Sequence, residues 1–425
     1  MDYIFPTAEI EYQIIGYLDP IIDFKQLSLV SKYYHEIVTN DKIYTALKKF
    51  YLDPLKSYRM TESKENNFQE ACEDNHILVA KYLQQKYLIN IHTRKELAFR
   101  LACENGHLGV AKWLHYLGKE LNSPINIHIK NESAFVWTCT NGHLEVAKWL
   151  HCLGIDMNSP INIHAKSELA FKSTCSYGHL EVAKWLYYLG TDLNSPINIH
   201  ADNEYAFRWT CNYGHLEIAK WLYHLGAEMN SPINIHKNHE DVFILTCAAG
   251  HLKIAKWLYR LGAEINSPID IHARVDDAFD LACSAGYLKV VKWLYHLGAE
   301  INSPIDIHSN NECAFRKSCN NGHLKVAKWL YHLGVEINSP IDIHADDEWA
   351  FTSACGVGHL KVAKWLYHLG KKINSPIDIH ANNNDAFISA CIDGYFEVAK
   401  WLCTLNNKYH INIDPDTNEI EYHID

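Results

Sequence analysis

The chain has 425 residues, 48% of them hydrophobic, and a formal net charge of −11. That apolar content is globular and not that of a disordered chain, and the length exceeds what one compact core holds, so several domains or a repeat array are expected. The acidic balance argues against duplex nucleic acid as a partner, because that affinity rests on Lys and Arg against phosphate, and it leaves a protein partner open.

The chain begins Met1-Asp2-Tyr3-Ile4-Phe5-Pro6, with Glu9 and Glu11 close behind, and lacks the basic segment and apolar stretch of a signal peptide. No apolar run approaches the ~20 residues of a membrane helix. The expectation is an intracellular protein without membrane association. Thirteen cysteines in a chain of this size do not indicate a disulfide scaffold in a reducing compartment.

In residues 1–52 the apolar spacing through Ile14, Leu18, Phe24, Leu27, Val30, Ile37, Ile43 and Leu47 predicts three short helices. Pro6 and Pro20 mark edges, and Asp23 is placed as an N-cap. The order Pro6, Glu9, Ile14-x-x-x-Leu18, Asp23-Phe24, Leu27-x-Leu29-Val30-Ser31-Lys32 resembles an F-box. Tyr44 stands where F-boxes often carry Trp, and the Pro–Glu spacing is looser. The resemblance implies docking on a Skp-type adaptor within a cullin ubiquitin ligase. It places Pro6, Ile14, Leu18, Leu27, Leu29, Val30 and Tyr44 in the helical core or on the adaptor-facing surface. The alternative is that residues 1–52 only cap the first repeat. Residues 53–66 are polar and read as a linker.

From 67 to 405 the sequence repeats itself. Cys103 to Cys391, Gly106 to Gly394 and Trp113 to Trp401 each recur every 36 residues. Cys72 marks a divergent first unit, with Asn75 in the Gly position and Tyr82 in the Trp position, which makes ten helix pairs in all. In one unit, Glu204–Asn212 places Ala206, Phe207, Thr210 and Cys211 on one helical stripe. Tyr213-Gly214 breaks it, and His215–Leu225 is a second amphipathic helix with Gly226 as its stop. Asn230-Ser231-Pro232 cannot continue a helix, and Ile233-Asn234-Ile235-His236 alternates as a short extended arm in a long protruding loop. Such a pair buries its apolar face only by stacking on neighbours, so the fold class expected is an all-α repeat solenoid. With Trp221 read as buried, Trp221→Ala is expected to cost ~3–5 kcal/mol.

The run Gly214-His215-Leu216-Glu217-Ile218-Ala219-Lys220-Trp221-Leu222-Tyr223-His224-Leu225-Gly226-Ala227-Glu228-Met229-Asn230 resembles the second helix and exit of an ankyrin repeat. The usual repeat is about 33 residues, so the extra length here lies in the loop. The Thr-Pro-Leu-His opening of the family is replaced by Tyr205-Ala206-Phe207-Arg208. With its Asn-Ser-Pro-Ile-Asn-Ile-His loops the array is similar to the ankyrin proteins of giant, mimivirus-like amoebal viruses. That implies the host cytoplasm as the working compartment, with the nucleus as an alternative.

Three chemical readings compete with packing. The periodic cysteines invite a zinc site, yet they sit where a small buried residue belongs, and the array has no Cys-x-x-Cys. The ladder His92 to His380 recurs at helix-stacking distance, about 8–10 Å, too far for two rings to share an ion at about 2 Å. A hydrogen bond between neighbouring loops is the better reading. A second ladder, His107 to His359, has Tyr287 and Tyr395 in two units, which a ligand set would not tolerate. No phosphate loop and no His-Glu-x-x-His are present. No metal, cofactor or catalytic residue is therefore expected. The Ser-Pro pairs are read as turn formers.

Positions that vary from repeat to repeat mark what the fold does not fix. The ankyrin resemblance places them on the concave groove. Trp137, Tyr205, Arg208, Trp209, Arg316, Lys317 and Trp349 are the residues expected to touch a partner, since Trp and Arg are favoured at interfaces. The alternative is that some of them fill gaps between unlike repeats. The residue after Gly-His-Leu changes from Glu in Glu145–Glu217 to Lys in Lys253–Lys361, and the loop residue from Asn to Asp near the same place, a pattern that block duplication explains. The function read from the sequence is an F-box/ankyrin substrate receptor, a monomer bringing a target to a ubiquitin ligase. The alternative is a scaffold or decoy for a host protein. Residues 406–425 are a tail or a cap.

Overall fold

The computed structural model describes residues 63–413 and 420–425. The F-box-like segment, with Pro6, Ile14, Leu18, Leu27, Leu29, Val30 and Tyr44, lies outside the described residues, as does the linker up to residue 62. Among the described residues are twenty helices, from Lys64–Glu73 to Phe396–Leu405, followed by a two-stranded hairpin. The helices form ten pairs, an all-α repeat solenoid. None of them is long and apolar enough to cross a membrane. Lys64–Asn66, read from the sequence as linker, form the first helical turn, where Ser63 Oγ accepts from the Asn66 amide at 3.3 Å. The chain divides into two compact units. One holds the described residues up to Thr174 together with His179–Ile197, and the other holds Cys175–Gly178 and Asn198–Asp425. The repeat geometry is the same within each.

Within a repeat, backbone chemistry sets the boundaries. The helix Ala201–Asn212 opens on a left-handed turn, with φ of 53, 61 and 62° at Asp202, Asn203 and Glu204. The right-handed helix then runs from Tyr205, one residue later than the sequence pattern suggests. A left-handed turn of L-residues costs about 1–2 kcal/mol per residue, so it persists only where other bonds hold it. Those bonds are supplied by the loop. The Glu204 amide donates to His200 O at 3.2 Å, and the His200 amide to Asn198 Oδ1 at 3.0 Å. Gly214, at φ 90°, ends the first helix, with the His215 amide returning to Thr210 O at 3.0 Å.

The second helix, Leu216–Glu228, runs through Gly226, which the sequence reading made its stop. The left-handed residue is Asn230, at φ 53°, with the Ser231 amide on Gly226 O at 2.9 Å and the Asn230 amide on Ala227 O at 3.1 Å. Gly226 is needed for space: a Cβ there would lie 2.8 Å from Ser231 O, where the loop folds back. The loop does not simply protrude. Ile233 and Ile235 are buried at 4% and 1% exposure, and the arm they form pairs with no strand.

The seam between successive repeats is built on phenylalanine. Phe207 and Phe243 are fully buried, each against the Trp of the following repeat, with ring centroids of Phe207–Trp257 at 6.2 Å and Phe243–Trp293 at 6.1 Å. The periodic Trp, expected in the core, is half-buried. Trp293 meets the edge of Tyr259 at 6.3 Å and lies under Lys256 Nζ at 5.9 Å. Trp221 has the same intermediate exposure, so its truncation removes less apolar area than full burial would imply. The periodic cysteines are sealed, and burial drives the thiols of Cys211 and Cys247 far above their ordinary value, as small core residues require.

The final pair is closed by the hairpin of β1 (Tyr409–Ile413) and β2 (Ile420–Ile424). Tyr409 stacks on Phe387 at 4.2 Å with 4° between planes, and its hydroxyl donates to Asn384 Oδ1 at 2.7 Å. The described part of this segment therefore packs on the last helix pair, and it adds a small β element to a fold expected to be all-α.

Candidate functional site

The periodic polar residues form a structural ladder. His128 Nδ1 donates to Glu132 Oε1 at 2.9 Å, and the amide of Asn162, one repeat later, donates to the same carboxylate oxygen at 3.2 Å. In the second unit, His344 pairs with Glu348 at 2.7 Å, and the Asp378 amide reaches Glu348 at 3.0 Å. The carboxylates are nearly sealed, Glu132 at 5% and Glu348 at 7% exposure, and each meets its own His and the next loop, as a buried polar group requires. The other ring nitrogen can extend the ladder: Ser195 Oγ lies 2.8 Å from His164 Nε2, and Ser375 Oγ lies 2.8 Å from His344 Nε2. The hydrogen-bonded reading of this histidine series holds at these rungs. The Asn-to-Asp change along the loops leaves one bond unaltered, since the His128 amide meets Asn126 Oδ1 at 3.0 Å and the His272 amide meets Asp270 Oδ1 at 2.9 Å.

The second histidine series sits on glycine. A Cβ on Gly106 would lie 2.4 Å from His143 Nδ1, and a Cβ on Gly250 would lie 2.3 Å from the Tyr287 ring. Histidine and tyrosine thus fill one flat slot. Burial lowers the affinity of His143 for a proton, helped by the nearby His107 and opposed by a hydrogen bond to the Glu104 backbone.

The variable positions divide into two groups. Tyr205, Trp209 and Tyr213 stand at i, i+4 and i+8 along the first helix and its end. Centroid distances are 5.8 Å for Tyr205–Trp209 and 5.6 Å for Trp209–Tyr213, and Tyr177 stacks on Tyr213 at 5.8 Å. Tyr177 and Tyr213 are 55% and 45% exposed, which makes this a four-ring aromatic stripe open to solvent. Burial, then Tyr213, Tyr177 and Asp202, raise the Tyr205 phenol above its ordinary value, against the pull of Arg208. Trp137, in the other unit, is 41% exposed. Sequence reasoning missed Tyr177 and Tyr213 because both stand in the turn before a periodic Gly, where a turn role accounts for them. The spacing of Tyr213 at i+4 from Trp209 and i+8 from Tyr205 was the available signal.

The basic residues are engaged inside the array. Arg208 Nε donates to Asp241 Oδ2 at 3.0 Å, and Arg274 reaches the other oxygen of that carboxylate at 3.3 Å. Arg316 donates to Asn311 O at 2.7 Å, pairs with Asp346, and lies over the Trp349 ring at 5.3 Å. Lys317 sits by Asp280 and Cys313; burial raises the Asp280 carboxyl, while Cys313 and the Lys317 charge lower it. Arg208, Arg316 and Lys317 thus answer acidic groups of a neighbouring repeat. The structure brings Tyr205, Arg208 and Trp209 together, and separately Arg316 and Trp349.

Among the described residues, one group places three metal-binding atoms within 4.8 Å of one another, that of His410, His423 and Asp425. It lies on the hairpin and outside both histidine series.

A family model described as ankyrin repeats, in three copies, matches residues 99–197, 169–269, 207–306 and 315–418. The ankyrin repeat domain of human ASB11 is similar to this chain at 17% identity, covering 50% of this chain and 95% of that domain, with a TM-score of 0.33. No curated protein matches the chain.

Proposed function

Because the chain belongs to the ankyrin-repeat family, whose repeats bind protein targets, we propose that it is a substrate receptor, holding a protein on the solvent side of its first helices and bringing it to a cullin-type ubiquitin ligase. The observation that carries the binding half is the open stripe of Tyr177, Tyr205, Trp209 and Tyr213. Four rings in contact present a large amphipathic area that loses little side-chain freedom on binding, which suits an interface centre. The recruiting half rests on the F-box-like order in residues 1–52, with Leu27, Leu29 and Val30 toward a Skp-type adaptor. The loop resemblance to giant-virus ankyrin proteins supports a host protein as target and the host cytoplasm as the compartment. The reading assigns the chain no reaction of its own and treats it as a monomer.

The test is a pull-down of a Skp-type adaptor by the full chain beside a chain lacking residues 1–52. Retention by the full chain alone is expected. Retention by neither removes the ubiquitin link and leaves a scaffold or decoy whose N-terminal residues only cap the first repeat.

A further inference from the structure

We propose that the final hairpin carries a binding site for one divalent transition-metal ion of zinc chemistry, built by His410, His423 and Asp425. The strand register makes it. β1 and β2 are antiparallel, with Tyr409 opposite Ile424 and His410 opposite His423. Side chains alternate along a strand. Tyr409 faces inward onto Phe387, so His410 and its cross-strand partner His423 share the outer face, and residue 425, two beyond His423, returns to that face. The Asp425 amide donates to Lys408 O at 3.0 Å, which extends the pairing and fixes the carboxylate beside the two rings.

The donor geometry is close to what an ion needs. His410 Nε2 lies 2.9 Å from Asp425 Oδ2, and His423 Nε2 lies 3.8 Å from Asp425 Oδ1. The two rings stack at 4.6 Å with 14° between planes, so they lie side by side, and binding one ion tilts them until their in-plane lone pairs converge. Zinc bonds of about 2.0–2.2 Å put neighbouring ligand atoms of a tetrahedron about 3.3 Å apart. Atoms already within 4.8 Å reach that spacing by side-chain rotation alone. Two imidazoles and one carboxylate suit zinc and its neighbours, and do not suit magnesium or calcium, which take oxygen ligands. A solvent molecule completes the fourth position.

These histidines differ from the two periodic series. Ladder histidines such as His128 and His344 spend Nδ1 on a buried glutamate, and turn histidines such as His143 fill the slot over glycine. His423 and Asp425 are 70% and 64% exposed and hold nothing inside the fold. An ion here would join β1 and β2 at the open end of the hairpin, where unsupported strands fray, and would fix Tyr409 against Phe387.

The experiment uses the full chain, freed of metal by chelation and titrated with zinc chloride in a calorimeter beside His423→Ala and Asp425→Asn. The unchanged chain is expected to show one tight site per molecule. Each variant is expected to bind at least about ten-fold more weakly at that site, since even outer-shell partners of a metal cost about that much. Because the exposed His423 side chain supports no fold contact beyond this cluster, loss of binding there is not explained by unfolding, and circular dichroism checks this. Hydrogen exchange gives the second readout: zinc, and not calcium, slows exchange across Tyr409–Ile413 in the unchanged chain only. Identical titrations for the unchanged chain and His423→Ala, or zinc binding that leaves hairpin exchange unaltered, overturns the proposal.

Discussion

Phe243 and Trp209 are both aromatic residues of first helices in the second unit, and they do opposite work. Phe243 is fully buried against Trp293 and recurs as Phe in every repeat. Trp209 lies among Tyr205 and Tyr213 beside solvent, at a position that varies along the array. The sealed set is repeated because every seam has the same shape to fill, and the open set is free to differ because no seam constrains it. Variation alone does not identify a partner surface, however. Arg208 varies too, and it answers Asp241 in the next repeat.

The comparison breaks most visibly at the seam. Phe243→Ala is expected to cost ~3–5 kcal/mol, through lost burial and the cavity left between repeats. Urea unfolding monitored by circular dichroism measures it. Trp293→Ala, at a half-buried position, is expected to cost less, about 2–3 kcal/mol. Equal losses at the two sites would return the tryptophan to the core.

A smaller effect sharpens the role of the turn histidines. Burial depresses the proton affinity of His143, His215 and His359 in the folded chain. The unfolded chain then binds more protons across the ordinary imidazole range. Their contribution to stability is complete above that range and is lost as pH falls through it toward the lower folded values. Stability is expected to fall between about pH 7.5 and about pH 5.5. His143→Tyr, which copies what Tyr287 and Tyr395 do in their own repeats, is expected to flatten that slope by up to about one proton. Thermal melts at both pH values check it.

Much of the fold was legible because a seam that recurs every 36 residues leaves a period in the sequence. Helix pairs, the Gly214 break and the buried cysteines all follow from it. The left-handed turn at Asp202–Glu204 was not legible, because no glycine marks it and Asp and Asn adopt that backbone as single residues, not in a run of three, and only the four-residue step from His200 to Glu204 hints at it. Gly226 read as a stop because glycine often ends a helix, while the structure gives that task to Asn230. The Arg208–Asp241 pair hid because its members stand 33 residues apart, off the period. The hairpin hid because Ile411-Asn412-Ile413 copies the alternation of the loops, which pair with no strand. Of the candidate surface, Trp209 was visible as a tryptophan outside the period, and Tyr213 was masked by the turn it occupies.

The most direct test of the division between seam and surface compares Phe243→Ala with the double variant Trp209→Ala, Tyr213→Ala in one urea titration. The account predicts a double variant within about 1 kcal/mol of the unchanged chain, far above Phe243→Ala. A double variant as unstable as Phe243→Ala would show that the aromatic stripe is part of the core, and would contradict its assignment as a surface kept for a partner.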